Sequence, residues 1–431
     1  MSTRTAHALP SVGRRAVLGG ALTLPAVGLS SCGSGVGATG ATGAMSLLTY
    51  DDVSEAGLMQ EQLNAFEESG GTRFSLDTVP GSGAAQFPDK LRTRILGGNA
   101  PDVWRIWGGM IGGPFVDAGL VLNLDEYYEQ YGWEQIFSEP GVEGMTFASH
   151  RHGVPLKISS IGAWCNATIL EDAGAAIPTT YDELEQLNDA VLDIGVTPAG
   201  MGGKYGWHIM RLFEYLLEVT AGPQLHDALL LAEESWDRPE VVEAFDLFRT
   251  WADREWIAPG ALGIDPADAE MTFVQGTAAY TLSGPWIEAS NIVPSGQPPE
   301  NFTTFLLPTD HDVVRHSGFV EGFMISETSS RPDEAAEMLD FLMQADVQRA
   351  LQNTSSATLA APPDEDEFPL SAQWSRIRTE SPIYTIQDQA LPKAQSDSYY
   401  AVQSGVLQGS TSPPDAAREM EQVLTDWRNS R

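Results

Sequence analysis

Short apolar segments that alternate with helical spacings constrain the fold more than any other feature of this sequence. Apolar runs typical of β-strands lie at 45–50, 73–78 and 102–107. The segments after the first two carry hydrophobic residues at helical spacing and end at glycine pairs, Gly70-Gly71 and Gly97-Gly98. Strands that alternate with helices pair in parallel, because each helix returns the chain across the sheet. We therefore predict an α/β fold.

The remainder of the chain continues this mixed pattern. The segment 154–166 reads as a long β-like run, and Asn166 is placed to cap the helix that follows. Thr180 and Glu183 have the spacing of a capping box, which predicts another helix start. Helical periodicity rich in tryptophan dominates 212–256. Further segments are a helix or turn and then a strand within 271–282, a strand at 302–307, and helices at 331–351 and 416–427.

The N-terminal segment has the composition of an export signal. It carries Arg4, Arg14 and Arg15, no acidic residue before position 32, and then the apolar run 16–29, which is too short to span a bilayer. Leu-Ser-Ser-Cys32 resembles the lipobox of bacterial lipoproteins, which implies cleavage before Cys32 and attachment of a lipid to its thiol. We expect a signal peptide at 1–31, exported by the Sec or the twin-arginine route.

The segment after Cys32 predicts a flexible tether. Residues 33–44 are nearly all Gly, Ser, Thr and Ala, so they cannot bury apolar area. We assign 32–45 to this tether. The protein is therefore expected at the extracytoplasmic face of the cell membrane, held by its lipid.

Charge and cysteine content exclude several classes of protein. The chain has 59 acidic and 24 basic residues and a net charge of −35, so nucleic acid is not an expected partner. With Cys32 lipidated, Cys165 alone remains, and no intrachain disulfide can form. Cys165 lies in an apolar run and is expected to be buried. The seven histidines are scattered, and His150 with His152 lacks a third ligand, so we predict no metal or other cofactor.

Motifs of known catalytic sites are missing from the sequence. There is no phosphate-binding loop of the Gly-x-x-x-x-Gly-Lys type, no His-Glu-x-x-His, no Gly-x-Ser-x-Gly and no Gly-x-Gly-x-x-Gly after a strand. Pairs of carboxylates of the kind that glycosidases use remain an open alternative, because 59 acidic residues offer many combinations.

Aromatic residues point instead to carbohydrate. The chain has eleven tryptophans, and Trp107, Trp207 and Trp286 lie at strand ends or turns where a core helix would not place them. A pyranose ring has an apolar C–H face and a rim of hydroxyls, so its recognition needs flat aromatic surfaces and polar groups around them. Packing in a hydrophobic core is the alternative for each tryptophan taken singly.

An ordered set of motifs resembles family 1 of the extracellular solute-binding proteins, in particular the maltodextrin-binding proteins. The resemblance covers almost the whole chain after the tether. Its motifs are Gly97 to Val103 (GGNAPDV), 153–166, Leu170 to Leu184 (LEDAGAAIPTTYDEL), Phe273 to Trp286 (FVQGTAAYTLSGPW) with Ser290 to Ile292, 335–351, Tyr399 to Gln403 and 416–424.

The resemblance implies a two-lobed α/β fold of the periplasmic-binding-protein type with a hinge between the lobes. The crossings between lobes are expected near Val154 and Pro308. Lobe 1 would comprise 46–155 and 309–358, and lobe 2 would comprise 156–308 and 359–431.

The same resemblance implies a set of ligand-binding residues between the lobes. Trp286 would stack a sugar from lobe 2, with Tyr399 and Tyr205 as companion platforms, and Trp107 would face them from lobe 1. The remaining candidates are Asp51, Asp52, Glu321, Phe319, Ser159 and Trp207.

Two positions depart from the maltodextrin-binding relatives. Ser159 stands where some of them have a carboxylate, and Gly108-Gly109 replaces a carboxylate expected just after Trp107. Maltodextrin itself is therefore not assigned as the ligand.

We expect a monomeric, non-enzymatic receptor of an ABC importer that binds a sugar or small oligosaccharide and delivers it to a membrane permease. Two alternatives remain open at this point. One is an exported glycan-active hydrolase, and the other is a sensor or scaffold lipoprotein that binds a partner protein.

Overall fold

Two β-sheets, each flanked by helices and each with its own hydrophobic core, form the framework of the protein. The computed structural model describes residues 43–50, 53–79, 83–351 and 354–430. The expected signal peptide, Cys32 and most of the expected tether lie outside these residues, as do Asp51 and Asp52. The strands are β1 (Met45–Tyr50), β2 (Phe74–Val79), β3 (Val103–Trp107), β4 (Thr146–Phe147), β5 (His150–Arg151), β6 (Val154–Ser160), β7 (Gly162–Asn166), β8 (Thr197–Ala199), β9 (Ala278–Ser283), β10 (Phe302–Phe305), β11 (His316–Ile325) and β12 (Ile383–Thr385).

Helices account for most of the other described residues. They are α1 (Val53–Glu68), α2 (Gly83–Leu96), α3 (Gly109–Asp117), α4 (Asp125–Tyr131), α5 (Glu139–Gly144), α6 (Ala167–Asp172), α7 (Tyr181–Asp193), α8 (Trp207–Leu230), α9 (Pro239–Asp253), α10 (Pro266–Val274), α11 (Val293–Ser295), α12 (Pro332–Leu342), α13 (Ala345–Leu351), α14 (Pro369–Thr379), α15 (Gln387–Ala390), α16 (Lys393–Gln408) and α17 (Pro413–Asn429). Within the described ranges, no helix is long and apolar enough to cross a membrane.

The first sheet confirms the α/β expectation from the sequence. Strand β1 pairs in parallel with β2 on one side and with β3 on the other. Strand β11 runs antiparallel to β3 and to β6, and its first residues pair in parallel with β12. All five residues of β3 are buried, which is why this segment reads as a continuous apolar run. We call this sheet and the helices around it the first lobe.

The second sheet has four strands in the order β10-β7-β9-β8. Its core contains Cys165, which is fully buried as expected. The long helices α8, α9, α16 and α17 pack together here, and the tryptophans of the helical region, Trp236, Trp251 and Trp256, are fully buried among them. We call this sheet and its helices the second lobe.

The chain passes between the two sheets at three places. Strand β6 stays paired with β11 as far as Ser160, and β7 begins the second sheet at Gly162, so the first crossing lies C-terminal to the expected boundary at 155/156. The second crossing lies between β10 and β11, close to the expected Pro308. The third is β12, which joins the first sheet although 359–431 were all expected in the second lobe. The extent of each lobe otherwise stays as proposed from the sequence.

Both predicted helix caps are present. The Asn166 side chain accepts a hydrogen bond from the Ile169 N–H at the start of α6. At α7 the Thr180 hydroxyl accepts from the Glu183 N–H at 3.2 Å, and the Glu183 carboxylate reaches back to Thr179. This carboxylate accepts from both the N–H and the hydroxyl of Thr179, which lowers the pKa of Glu183.

Candidate functional site

The first lobe contributes a stacked aromatic pair at the carboxyl ends of two neighbouring strands. Tyr50 ends β1 and Trp107 ends β3, and their ring centroids lie 3.9 Å apart with an angle of 15° between the planes. The Arg105 guanidinium lies 4.6 Å from the Tyr50 ring centroid. Trp107 is only 7% exposed, because Tyr50 covers one of its faces. The carboxyl ends of parallel strands are where α/β proteins usually bind ligands.

A buried ionic network holds this pair in place. Arg105 Nη2 lies 2.7 Å and Lys157 Nζ lies 3.2 Å from the Glu321 carboxylate, which also accepts a hydrogen bond from the Tyr50 hydroxyl. Glu321 is 3% exposed, so its oxygens are occupied by side chains of the same lobe. The structure therefore corrects the expectation that Glu321 meets the ligand. Glu321 instead contacts Tyr50, which stacks on Trp107.

Phe319 and Ser159 are opposite residues on β11 and β6, close to the first crossing. Phe319 is half-buried and packs against both hydrophobic cores, and its ring centroid lies 5.9 Å from that of Trp286. Phe319 thus lies where the two lobes meet. Ser159 is fully buried and its hydroxyl has no hydrogen-bond partner among the described residues. It is not accessible to a ligand in this structure, which corrects that expectation.

The second lobe contributes two tryptophans that share one arginine. The Arg211 guanidinium lies 4.4 Å from the Trp207 ring centroid and 5.3 Å from that of Trp286. Both tryptophans are half-buried, whereas Arg211 is 5% exposed. Arg211 Nη1 donates to the Leu282 carbonyl at 2.8 Å and lies 3.6 Å from a Glu270 oxygen. The structure therefore brings Trp207, Trp286 and Phe319 together around one buried cation.

Buried carboxylates surround Arg211. Burial raises the pKa of Asp388, although a 2.9 Å hydrogen bond from the Tyr400 hydroxyl and the charge of Arg211 partly offset it. Burial also raises the pKa of Glu270, against the charge of Arg211 and a hydrogen bond from Ser283. Polar groups therefore lie directly behind the rings of Trp207 and Trp286. Such mixed surfaces suit a ligand with apolar faces and polar edges.

Sequence reasoning missed Arg211, Asp388 and Tyr400. Arg211 had a visible signal, because it is a lone cation within the apolar start of α8 (WHIMRLFEYLL). A charged residue at such a position is buried only when it has partners. Asp388 and Tyr400 come from α15 and α16, far along the chain from Arg211, and no local pattern connects them.

Tyr399 is not a platform for a ligand. It is fully buried in the core of the second lobe, where its ring makes edge contacts with Phe213 at 5.8 Å and Trp236 at 5.7 Å. Adjacent helical residues differ in direction by about 100°. Tyr400, the next residue, therefore points in another direction: it is half-buried at the edge of this core, and its hydroxyl donates to Asp388.

Tyr205 lies just before α8 and is half-buried. Lys204 Nζ is 5.1 Å from its ring centroid and 3.0 Å from an Asp265 oxygen. No ring contact joins Tyr205 to Trp286 among the described residues. The ligand-binding roles of Tyr205, Trp107, Trp207, Phe319 and Trp286 stay predictions.

The glycines after Trp107 have a steric explanation. A Cβ at Gly108 would lie 2.1 Å from the Gly144 carbonyl oxygen, and one at Gly109 would lie 2.4 Å from the Gln389 carbonyl oxygen. Gly109 also has φ +57°, which disfavours any side chain. The backbones of α5 and α15 approach so closely that no carboxylate-bearing residue fits at these positions.

The described residues contain no group of three or more His, Cys, Asp or Glu side chains that could hold a metal ion. The candidate site consists of aromatic faces from the two lobes, a buried arginine and hydrogen-bonded carboxylates.

Comparison with known proteins assigns the family. Residues 51–349 match the family described as bacterial extracellular solute-binding protein. The chain belongs to this family. The match begins directly after β1 and extends into α13, so it includes the first two crossings together with Trp107, Trp207 and Trp286.

Curated relatives of this solute-binding protein carry sugar-related names. A probable sugar-binding periplasmic protein of Brucella melitensis is 28% identical over 264 residues, which cover 60% of this chain and 62% of the relative. One of Rhizobium meliloti is 26% identical over 266 residues, which cover 60% and 63%. The chain thus matches less than two thirds of the length of these relatives.

Solved structures of similar shape confirm the two-lobed fold. A chitin oligosaccharide binding protein has a TM-score of 0.79 at 21% identity, covering 89% of this solute-binding protein and 98% of that chain. Maltose-bound MalE3 of T. maritima has a TM-score of 0.74 at 16% identity, covering 89% and 99%. RafE in complex with raffinose has a TM-score of 0.72 at 18% identity, covering 88% and 99%.

Proposed function

We propose that this chain is the extracytoplasmic receptor of an ABC importer and that it binds a sugar or small oligosaccharide between its two lobes. The observation that carries the proposal is the meeting of Trp286 and Trp207 of the second lobe with Phe319 at the junction of the lobes, around the buried Arg211. Relatives and structural neighbours named for sugars support the same ligand class.

The chemistry of the wall suits a carbohydrate. Indole rings offer flat faces to the C–H side of a pyranose, and the half-buried Asp388 offers an acceptor for a hydroxyl at its rim. A neutral sugar leaves the balance between Arg211 and its carboxylates unchanged. A free cation or anion would disturb that balance and would need its own counter-charge.

Binding would shift the protein between open and closed arrangements of the lobes. Trp107 and Tyr50 belong to the first sheet, whereas Trp207 and Trp286 belong to the second lobe. A ligand that contacts both walls binds the closed form more tightly than the open form and so raises its population. The permease would recognise that closed form, and no covalent bond is made or broken.

The N-terminal segment would place this receptor beside its transporter. A lipid on Cys32 with the Gly-rich tether would raise the local concentration of the receptor at the membrane. Replacement of Cys32 by Ser is expected to release the protein from membranes while its affinity for sugar stays unchanged. A Cys32→Ser protein that stays in the membrane fraction would contradict the lipid anchor.

A screen of mono-, di- and oligosaccharides by thermal shift and titration calorimetry tests the ligand class. The proposal expects saturable binding of at least one carbohydrate at one ligand per chain. The same incubations, assayed for new reducing ends, test the hydrolase alternative, which expects products. Absence of binding across the whole panel would favour a receptor for another class of solute or a scaffold lipoprotein.

A further inference from the structure

A cavity lies against all three crossings between the lobes. Its volume is about 500 Å³, and it shares no residue with the aromatic site. Ile158 of β6, His316 of β11 and Ile383 of β12 line it, together with Ser138 at the start of α5 and residues of α14. Every segment that connects the lobes therefore borders this cavity.

The charge of the cavity is opposite to that of the chain. Acidic residues outnumber basic ones by 59 to 24 in the sequence, yet Arg378 and His316 line the cavity and no Asp or Glu does. Arg378, on α14, is half-buried, and its guanidinium makes no hydrogen bond or ion pair with any residue that the structure describes. Burial lowers the pKa of its guanidinium, because no carboxylate compensates for the lost water.

His316 adds no second charge at neutral pH. Its burial and the neighbouring charge of Arg378 lower its pKa to about 4. The Nδ1 atom of His316 lies 3.3 Å from the Ser381 hydroxyl, which itself donates to the Val314 carbonyl. The cavity therefore offers a single positive charge.

Two hydroxyls can assist Arg378. Ser375 precedes it by three residues on α14, so both lie on the same face of the helix. Ser138 lies on the first-lobe side of the cavity. Neither serine hydroxyl makes a hydrogen bond to another side chain or carbonyl within the described ranges. A guanidinium with nearby hydroxyl donors is a common arrangement for binding a carboxylate.

Most of the remaining lining is apolar, although Ser356, Thr358, Thr379 and Ser381 also border the cavity. Carbon-rich side chains cover most of its wall, and they are Pro140, Ile158, Ala357, Leu359, Pro362 and Ile383. An inorganic anion would fill only a small part of the volume and would leave these side chains in contact with water. We propose that the cavity binds a small organic carboxylate, whose charged group pairs with Arg378 and whose short apolar body fills the space between the crossings.

The probe for the test is 4-(trifluoromethyl)benzoate, followed by fluorine NMR during titration of the full chain. Binding with a Kd of about 1 mM or tighter is expected. Replacement of Arg378 by Gln is expected to weaken binding by roughly tenfold or more, because a charge-assisted contact is lost. The matched control is Arg376→Gln on the same helix, since Arg376 is exposed and pairs with Glu365 outside the cavity.

Several results would overturn the proposal. One is an equal affinity of the wild type and Arg378→Gln for the benzoate. Another is a loss of affinity in Arg376→Gln as large as that in Arg378→Gln. A third is tighter binding of inorganic phosphate than of the benzoate to the wild type. A further comparison uses only the wild-type protein, so it does not depend on how well a variant folds. The neutral amide of the probe is expected to bind the wild-type protein at least roughly tenfold more weakly than the carboxylate does. No detectable binding of the carboxylate to the wild-type protein would also refute the site.

Discussion

Glu218 is the centre of a buried ionic cluster that ties two crossings to the second lobe. Its two oxygens accept from Arg315 Nε and Nη2, both at 2.8 Å, and Arg315 also pairs with Asp227 at 2.8 Å. Glu218 is 1% exposed, and the His226 Nδ1 atom lies 2.5 Å from Oε2. Arg315 precedes β11, and its guanidinium lies 5.1 Å from the ring centroid of Tyr384 in β12.

Removal of this charge is predicted to cost the protein substantial stability. Burial opposes ionisation of Glu218, but hydrogen bonds and charge from Arg315 and His226 outweigh it and lower its pKa from 4.5 to about 2. Each unit of pKa corresponds to about 1.4 kcal/mol, so the folded state gains about 3 kcal/mol from this carboxylate at pH 7. Glu218→Gln keeps the shape of the side chain, loses the charge, and should lower the free energy of unfolding by about that amount.

The pH dependence has a definite sign. Because the pKa of Glu218 is lower in the folded than in the unfolded chain, the stabilisation is complete above pH 4.5 and is lost as the pH falls towards 2. The difference between wild type and Glu218→Gln should therefore decrease from about 3 kcal/mol at pH 7 to about 2 kcal/mol at pH 3.5.

Urea denaturation of both proteins at the two pH values measures this difference. Glu365→Gln is the control, because Glu365 and its partner Arg376 are 72% and 63% exposed and such surface pairs contribute less than about 1 kcal/mol. A loss below about 1 kcal/mol for Glu218→Gln at pH 7, or a difference that grows as the pH falls, would refute the reasoning.

Two glycine substitutions give further predictions. A Cβ at Gly284 would lie 1.9 Å from the Trp286 ring. Gly284→Ala should therefore displace this ring and weaken sugar binding by about fivefold or more. Unchanged affinity for sugar in calorimetry would contradict this prediction. Gly109 and Gly119 both have positive φ, but only a Cβ at Gly109 would meet a backbone atom, the Gln389 carbonyl oxygen. Gly119→Ala is expected to lower the free energy of unfolding by about 1 kcal/mol, and Gly109→Ala should lower it by more. Equal losses of the two variants in urea denaturation would count against that contact.

The sequence predicted the framework of the first lobe because each of its elements is long enough to show its period. The strands at 45–50 and 102–107 and the helix ends near Gly70 and Gly97 all agree with the structure. The β-like run 154–166 was correct in type, but it divides at Ile161, where the chain leaves one sheet for the other. A change of sheet leaves no mark in an apolar run, since both strands are buried.

Short elements and distant partners were beyond the sequence. Strand β12 has three residues, too few to establish an alternation, so the third crossing was missed. The resemblance of motifs implies Tyr399 as a ligand platform, but the direction of a helical side chain depends on the packing of the whole helix. Glu321 pairs with Arg105 and Lys157, which lie on two other strands. Only the pairing of these strands in the sheet brings the three side chains together.

The most direct test of the proposed function is calorimetric titration of the best carbohydrate into wild type, Trp286→Ala and Trp427→Ala. Trp427 is also a half-buried tryptophan of the second lobe, but it lies on the C-terminal helix α17 and controls for general loss of packing. We predict that Trp286→Ala weakens binding by about fivefold to tenfold, since stacking contributes about 1 kcal/mol or more, whereas Trp427→Ala leaves the affinity unchanged. Wild-type affinity in Trp286→Ala would contradict a sugar site between the lobes.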